Sequence, residues 1–270
     1  AGKFFEGMVG LMTGVALPLI VAEFGLGAVE KGVIGASALF GIRIGATALG
    51  GMSDKYGRKK MFIAEMVLFV IFLVALTLSP SYIFLAIALF GAGLALGCDY
   101  PTAHIVVSES IPSQVRGKLV LGAFAFQAVG ALFGTMIGYL VLYENPQIEA
   151  WRWMYATAII PAILVILGRF FISDSPHWLL EKGFVERAEV ELGKLLKREP
   201  QYPKNIKLNK IEEDESPEAK KSNFQKLFHK KHRRATIFAS APWFIQDLGT
   251  YGIGIFTPII LAATFGHNTI

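Results

Sequence analysis

The sequence has little charge and almost no cysteine. Only 17% of its 270 residues are charged, and Cys98 is its single cysteine. A lone cysteine excludes a disulfide framework within the chain. Hydrophobic residues make up 53% of the sequence, and the mean hydropathy is +0.50. Because the apolar residues occur in long blocks, which ordinary soluble domains lack, the composition indicates a chain embedded in a membrane.

Enzyme motifs are also missing. The sequence contains no P-loop, no metal-ligand spacing, and no Ser-His-Asp or Cys-His arrangement on a suitable scaffold. Its net charge of +5 would suggest a nucleic-acid partner only if the basic residues shared a soluble face, and here they flank apolar blocks. We therefore expect no enzymatic activity, no cofactor or metal site and no nucleic-acid binding.

Seven apolar blocks are long enough to cross a bilayer. They cover residues 4–22, 32–52, 61–79, 82–107, 118–142, 153–172 and 236–265. The sequence predicts an all-α membrane protein, with a six-helix bundle at 1–172, a linker at 173–235 and a seventh helix at 236–270. An amphipathic helix is expected within the linker, at 184–197. Because the first and last blocks lie near the chain ends, we expect a chain clipped at both ends.

Lysine and arginine collect in alternate loops. The basic loops are 52–60, 108–118 and the long segment 173–235. Loops rich in these residues stay in the cytoplasm, so the linker is predicted to be cytoplasmic. The basic run at 226–234 is interpreted as an orientation signal that contacts lipid headgroups. We expect a multi-pass protein of the plasma membrane, with the bilayer as one of its partners.

Glycines repeat every four residues on two predicted helices. Gly93 and Gly97 lie on the fourth helix, and Gly130, Gly134 and Gly138 on the fifth. Small residues at this spacing let helix backbones approach closely in lipid. These glycines are predicted to serve packing alone.

Ionisable residues within the predicted spans are the candidates for a working site. They are Glu6, Arg43, Glu65, Asp99 and Asp247. A carboxylate at membrane depth costs about 2.5–3.5 kcal/mol even on the lenient insertion scale, so each needs a partner or water. Asp99 is predicted to face a polar cavity. The alternative is an Asp near a helix end that bonds the neighbouring backbone.

For the other ionisable residues, the sequence leaves more than one role open. Glu6 and Asp247 open the first and last spans, so either could lie at the membrane interface. Arg43 could be the counter-ion of an acid or a contact for an anion. Glu65 lies only a few residues past a basic loop, which favours a position at the cytoplasmic rim.

The last span carries three polar or amphipathic side chains on one face. Trp243, Asp247 and Tyr251 are spaced i, i+4 and i+8, which suits a helix that lines a polar cavity. The alternative is that Trp243 and Tyr251 belong to an aromatic belt at the membrane edge, although a belt does not explain why Asp247 lies between them. Gln127 could add a donor and an acceptor to the same cavity, or make a plain hydrogen bond between helices.

Proton coupling requires a buried carboxyl that loads and releases a proton near neutral pH. Glu6, Asp99 and Asp247 are the candidates. An anionic substrate would then be held by hydrogen-bond donors, by a protonated acid or by a cation.

Several segments resemble the major facilitator superfamily, and the likeness covers almost the whole chain. They are 50–59 (GGMSDKYGRK), Ser108-Glu109 with Arg116-Gly117, 151–154 (WRWM) and 175–180 (SPHWLL). The resemblance implies a carrier of two six-helix bundles, of which this chain holds the first bundle, the linker and one further helix. The remaining half would be a missing partner. It also implies that Asp54, Arg58, Glu109 and Arg116 act in gating.

A narrower resemblance concerns 97–101 (GCDYP), which is similar to the GGDYP segment of phosphate:proton symporters. It implies proton-handling acids at Glu6, Asp99 and Asp247. The implied phosphate contacts are Tyr100, Gln127, Trp243, Asp247 and Tyr251. Two positions depart from the pattern, since Cys98 replaces a glycine and Glu6 stands where an aspartate is usual.

Three functions are therefore weighed. The first is proton-coupled symport of inorganic phosphate by alternating access. The second is a proton-coupled carrier of a sugar or an organic acid from the same superfamily. The third is a membrane receptor or scaffold that transports nothing.

Overall fold

A computed structural model describes residues 2–49, 51–110, 113–196, 228–229 and 232–265, and the regular structure in these residues is helical. The helices are α1 (Gly2–Phe24), α2 (Ala28–Ile44), α3 (Met52–Tyr56), α4 (Arg58–Thr77), α5 (Tyr82–Ser110), α6 (Ser113–Glu144), α7 (Ala150–Phe170), α8 (Pro176–Glu181), α9 (Val185–Leu196), α10 (Arg233–Gly254) and α11 (Thr257–Phe265). A π-helical turn, Gly45–Leu49, continues α2. The prediction of an all-α chain is confirmed.

Most of the predicted spans form single long helices. Within the described residues, five helical segments are long and apolar enough to cross a membrane: Gly2–Phe24, Arg58–Thr77, Tyr82–Val106, Gly117–Glu144 and Ala150–Phe170. The predicted second span, 32–52, is helical as far as Leu49 because the π turn extends α2. Helix α9 matches the amphipathic helix predicted for the linker.

The last predicted span is not one continuous helix. Helix α10 ends at Gly254 and α11 begins at Thr257, with a turn in which the Phe256 N–H donates to the Ile253 carbonyl at 3.1 Å. Pro258 explains the new start, since proline lacks an N–H, disfavours helical geometry in the preceding residue and suits the first turn of a helix. The predicted span 236–265 therefore contains two helices, α10 and α11.

Helices α1 and α5 lie at the centre of the bundle. Helix α1 packs against α6 and α7, whereas α5 packs against α2 and α4. The largest fully buried side chains are apolar or aromatic and include Phe5, Met12, Phe69, Trp151 and Tyr155. Apolar side chains also cover outer faces, as at Leu132 and Ile160, which are 67% and 69% exposed. A helix that is apolar all round is typical of a membrane span.

Glycines bring two helix pairs into backbone contact. A Cβ added to Gly130 would overlap the Phe4 carbonyl oxygen of α1, and one added to Gly134 would overlap the Met8 carbonyl oxygen. Between α2 and α5, Gly41, Gly45, Gly93 and Gly97 each face a carbonyl oxygen of the other helix in the same way. The predicted packing role of the glycine repeats is confirmed for these positions.

We predict opposite effects for the same substitution at two glycines of α6. Gly130→Ala should lower stability by about 1–3 kcal/mol because the new methyl group meets the backbone of α1. Gly122 has open space around the same position, so Gly122→Ala should raise stability by about 0.4–1 kcal/mol. Thermal unfolding in detergent measures both, and equal shifts would contradict the close contact.

Candidate functional site

A buried carboxylate joins α1, α5 and α6. One Glu6 carboxylate oxygen accepts from the Tyr100 hydroxyl at 3.0 Å and from the Gln127 amide at 3.3 Å. Its other oxygen pairs with the Lys3 ammonium at 3.2 Å. The residue is 4% exposed, so these contacts replace the water that an ionised carboxylate requires.

The Glu6 contacts lie deep in the bundle. Gln127 comes 14 residues after the first residue of α6, about 21 Å along that helix, and α6 continues for a similar distance beyond it. Tyr100 lies well inside α5, which runs from Tyr82 to Ser110. Glu6 therefore contacts the middle parts of α5 and α6. It does not lie at the membrane interface, which was the alternative.

Lys3 was missed by the sequence interpretation. Its ammonium lies 2.8 Å from the centroid of the Tyr100 ring and 4.9 Å from that of Phe124, a cation–π arrangement between α1, α5 and α6. The spacing of Lys3 and Glu6, three residues apart on one helix, is the signal that could have revealed the pair.

Asp99 lies in a second cluster, formed with Glu65 and Arg169, which we call the Arg169 cluster. The guanidinium bonds the Asp99 carboxylate with one nitrogen and Glu65 with another, the latter at 3.0 Å. It also donates to the Phe62 carbonyl and lies 3.6 Å from the centroid of that ring. Asp99 is thus held by an arginine of α7 and not by neighbouring backbone.

The Arg169 cluster corrects the interpretation of Glu65. Its side chain is 1% exposed and its charge partner lies on another helix, so Glu65 is buried in an ion pair and does not extend to the surface. Phe62 and Glu65 are three residues apart and therefore lie on the same face of α4, against α7. Arg169 itself was overlooked, although a basic residue inside the predicted span 153–172 needs a buried partner.

Two cavities separate α10 from the rest of the bundle. The first, of about 220 Å³, is lined by Glu6, Arg43, Phe244 and Asp247, among others. The second, of about 560 Å³, is lined by Phe124, Gln127, Gln246 and Asp247, among others. The Arg43 guanidinium lies 4.9 Å from the centroid of the Phe244 ring. Asp247 borders both cavities, one shared with Glu6 and the other with Gln127.

Some predicted site residues cannot be placed. The side chains of Trp243, Tyr251, Glu109 and Arg116 lie outside the described residues, so their roles stay predictions. The backbone of α10 is continuous from Arg233 to Gly254, which agrees with a single helix carrying positions 243, 247 and 251.

The predicted gating pair lies at one end of the bundle. Arg58 forms an ion pair with Asp54 and also bonds the Ser53 hydroxyl at 3.5 Å. The Trp178 indole N–H donates to the Asp54 carbonyl at 2.8 Å, which connects α8 to α3. Gly57, at φ 104°, makes the turn between α3 and α4 that a side chain would strain.

A further ion pair closes the opposite end. Glu23 accepts from the Arg152 guanidinium at 2.6 Å and from the Trp151 indole at 2.5 Å. Arg152 also donates to the Ser79 carbonyl at 2.6 Å. These bonds connect the end of α1, the end of α4 and the start of α7.

No metal centre emerges from the side chains that the structure describes. Among them, His, Cys, Asp and Glu form no group of three or more that could hold an ion. The interior polar groups are paired carboxylates, cations and amides, which suit hydrogen bonding and proton exchange.

Comparison with known proteins agrees with this architecture. The family model described as "Sugar (and other) transporter" matches residues 21–268. The putative metabolite transport protein YaaU of Escherichia coli is 32% identical over 96% of this chain and 55% of its own length. The galactose-proton symporter of E. coli is 34% identical over 71% of this chain and 40% of its own length.

Solved structures show the same fold. The proton:xylose symporter XylE matches with a TM-score of 0.67 and 24% identity over 72% of this chain and 47% of that chain. A partially occluded, inward-open form of XylE from E. coli gives a TM-score of 0.65 over 72% of this chain and 53% of that chain. The chain spans about half the length of the curated relatives first matched.

The likeness to the XylE structures shows that the helical bundle has the fold of a major facilitator protein. This chain belongs to the sugar (and other) transporter family of that superfamily. It is a multi-pass integral membrane protein, and its relatives are transporters and not enzymes. The recognition of the superfamily is confirmed. YaaU, the galactose-proton symporter and XylE are named for metabolites or sugars, so the narrower likeness to phosphate symporters gains no support.

We predict that Arg169→Met is strongly destabilising. It leaves two buried carboxylates without their shared cation, which should cost about 3–5 kcal/mol. Arg152→Met, at the more exposed pair with Glu23, should cost less. Thermal unfolding of the purified protein measures both.

A triple variant supplies the control. Combining Arg169→Met with Glu65→Gln and Asp99→Asn removes all three ionisable groups and should restore most of the lost stability. If the triple variant were no more stable than Arg169→Met alone, unpaired charge would not be the cause.

Proposed function

We propose that this chain forms part of a proton-coupled carrier for a sugar or a related polar metabolite, working by alternating access. The observation that carries the proposal is the Glu6 carboxylate, held by Tyr100 and Gln127 at mid-depth, beside cavities that Asp247 also borders. Secondary carriers place substrate sites near the bilayer midplane, between two bundles that rock against each other.

The chemistry of the cavities favours a polyhydroxylated substrate. Carboxylates and amides accept and donate the hydrogen bonds that sugar hydroxyls make, and the aromatic rings of Phe124 and Phe244 offer apolar faces beside them. Two relatives are named for sugars, the galactose-proton symporter of E. coli and a D-xylose transporter of Levilactobacillus brevis, which is 27% identical over 96% of this chain and 63% of its own length.

Phosphate fits the cavities less well. The Glu6 and Asp247 carboxyls border the first cavity, and when ionised they repel an anion. Arg43 borders the same cavity and supplies one opposing charge, so an organic acid remains the second candidate. The YaaU relative, named only for an unspecified metabolite, is compatible with either substrate.

Proton coupling is assigned to the acids of the interior. Glu6 and Asp247 border the cavities, whereas Asp99 lies in the Arg169 cluster. A carboxyl that exchanges a proton with water on each side in turn changes the local charge by one unit, and in a medium of low dielectric constant that change biases one bundle arrangement over the other.

Uptake by the full-length protein in proteoliposomes tests the proposal. With an inward proton gradient, labelled galactose or xylose should accumulate, and excess phosphate should not compete. Competition by carboxylates but not by sugars would favour the organic-acid alternative. Absence of uptake of all these solutes would favour a receptor or scaffold.

Removal of the Gln127 amide should weaken substrate binding. Gln127→Ala loses one hydrogen-bonding group at the cavity, so the KM for the transported sugar should rise about two- to tenfold. Gln147→Ala, at an exposed position between α6 and α7, is the matched control and should leave the KM unchanged. An unchanged KM in Gln127→Ala would remove Gln127 from the substrate site.

Neutralising the predicted gating acid should shift the balance of conformations. Asp54→Asn replaces the ion pair with the nearly buried Arg58 by a bond from the guanidinium to an uncharged amide, which should change the ratio of the two bundle arrangements about fivefold. Spin-label distances across the cytoplasmic end measure that ratio. Asp174→Asn, whose contact with the exposed Arg187 is 3.9 Å long, is the control, and equal shifts in both variants would contradict a gating role.

A further inference from the structure

The Arg169 cluster contains one more acid than base. The side chains of Glu65, Asp99 and Arg169 are 1%, 6% and 3% exposed. With both acids ionised, the cluster would hold a net negative charge out of contact with water. Such a charge is costly in a protein interior, and two carboxyl groups that share a site do not both ionise readily.

One oxygen of the Arg169 cluster has no partner. Glu65 Oε1 pairs with the guanidinium, whereas Glu65 Oε2 is buried without a hydrogen bond in the described part of the chain. The carboxyls of Glu65 and Asp99 are also close enough to act on each other. Two ionised carboxylates cannot hydrogen-bond to each other, but a carboxyl that carries a proton can donate to its neighbour.

The groups around the Arg169 cluster do not supply the missing positive charge. Lys3 of α1 is close enough to act on Asp99, but it pairs with Glu6, so Lys3 and Arg169 together face the three acids Glu6, Glu65 and Asp99. On α5, Cys98 is a buried thiol beside Glu65, and His104 lies further along the helix towards Phe124. Gln127, the polar residue that α6 adds nearby, is uncharged.

We propose that Glu65 and Asp99 share a single proton next to Arg169, which makes the Arg169 cluster a proton-binding site distinct from Glu6. Glu65 is the new member of the proton-handling set. Loading transfers a proton from water to one of the two carboxylates, and release returns it to water, with no other bond made or broken. The loaded cluster is neutral, and the empty one carries a single negative charge.

Proton binding at the Arg169 cluster would affect Glu6 through α1. The Asp99 carboxyl lies against the backbone of Gly2, one residue from Lys3 and four from Glu6. A negative charge on the empty cluster attracts the Lys3 ammonium away from Glu6, whereas the neutral, loaded cluster does not. This coupling rests on the proposed transport function, although proton binding itself does not.

Infrared difference spectroscopy of the full-length protein tests proton binding without any transport. The carboxylic-acid band of the wild-type protein near neutral pH should lose the same component in Glu65→Gln and in Asp99→Asn, because each variant removes one half of the shared site. Glu23→Gln should keep that component, since Glu23 and Arg152 form a pair with one acid for one base. A band that is the same in wild type and in both cluster variants would overturn the proposal.

Two further measurements separate proton binding from misfolding and from transport. Glu65→Asp keeps a carboxyl, so it should retain the component at a shifted frequency, and it replaces Glu65→Gln if that variant does not fold. In proteoliposomes, uptake by Glu65→Gln should no longer respond to an imposed proton gradient. If the wild type transports nothing, the transport proposal fails, while the infrared band still decides whether the cluster holds a proton.

Discussion

An ion inside a bilayer must find its partner within the protein, and this requirement organises the interior of the bundle. Water cannot solvate Glu6, Glu65, Asp99 or Arg169, so each draws a donor or an opposite charge from a different helix. The contacts that result connect α1 with α5 and α6, and α4 with α5 and α7. Charge therefore specifies these particular helix contacts, because apolar side chains gain little by leaving lipid for protein.

The ion pairs comprise one pair at each end of the bundle and a buried set between them. Asp54 and Arg58 lie at the end predicted to be cytoplasmic, and Glu23 with Arg152 closes the other end. Each of these end pairs matches one acid with one base. Among the described residues, the Arg169 cluster carries one more acid than base, whereas Glu6 and Asp247 border the first cavity beside α10.

Much of the fold could be predicted because bilayer thickness imposes a length on every span. Apolar blocks of about 20 residues identified α1, α4, α5, α6 and α7. The glycine repeats identified the close contacts, since only a missing side chain lets two backbones touch. Hydropathy alone does not register the break between α10 and α11, because a local turn leaves the apolar block intact; the signal for it is Pro258.

The site was harder to predict than the fold. Glu6, Gln127 and Asp247 could be proposed because polar groups are conspicuous in apolar helices, whereas Tyr100 was implied only by the resemblance of the GCDYP segment. Their partners could not, because contacts such as that of Arg169 with Asp99 join residues 70 positions apart in the sequence. The π turn after Arg43 is equally hidden, since hydropathy does not register it; Gly45, its first residue, is set against the Leu94 carbonyl of α5.

The backbone contacts at the glycines have a mechanical consequence. Where a carbonyl oxygen packs against a glycine, no side-chain rotamer can change to alter the helix spacing. We therefore expect α1 with α6, and α2 with α5, to keep a fixed spacing. The contacts around Glu6 differ, because they are made by side chains with rotatable bonds. A change of rotamer there can alter a contact between helices without moving either backbone.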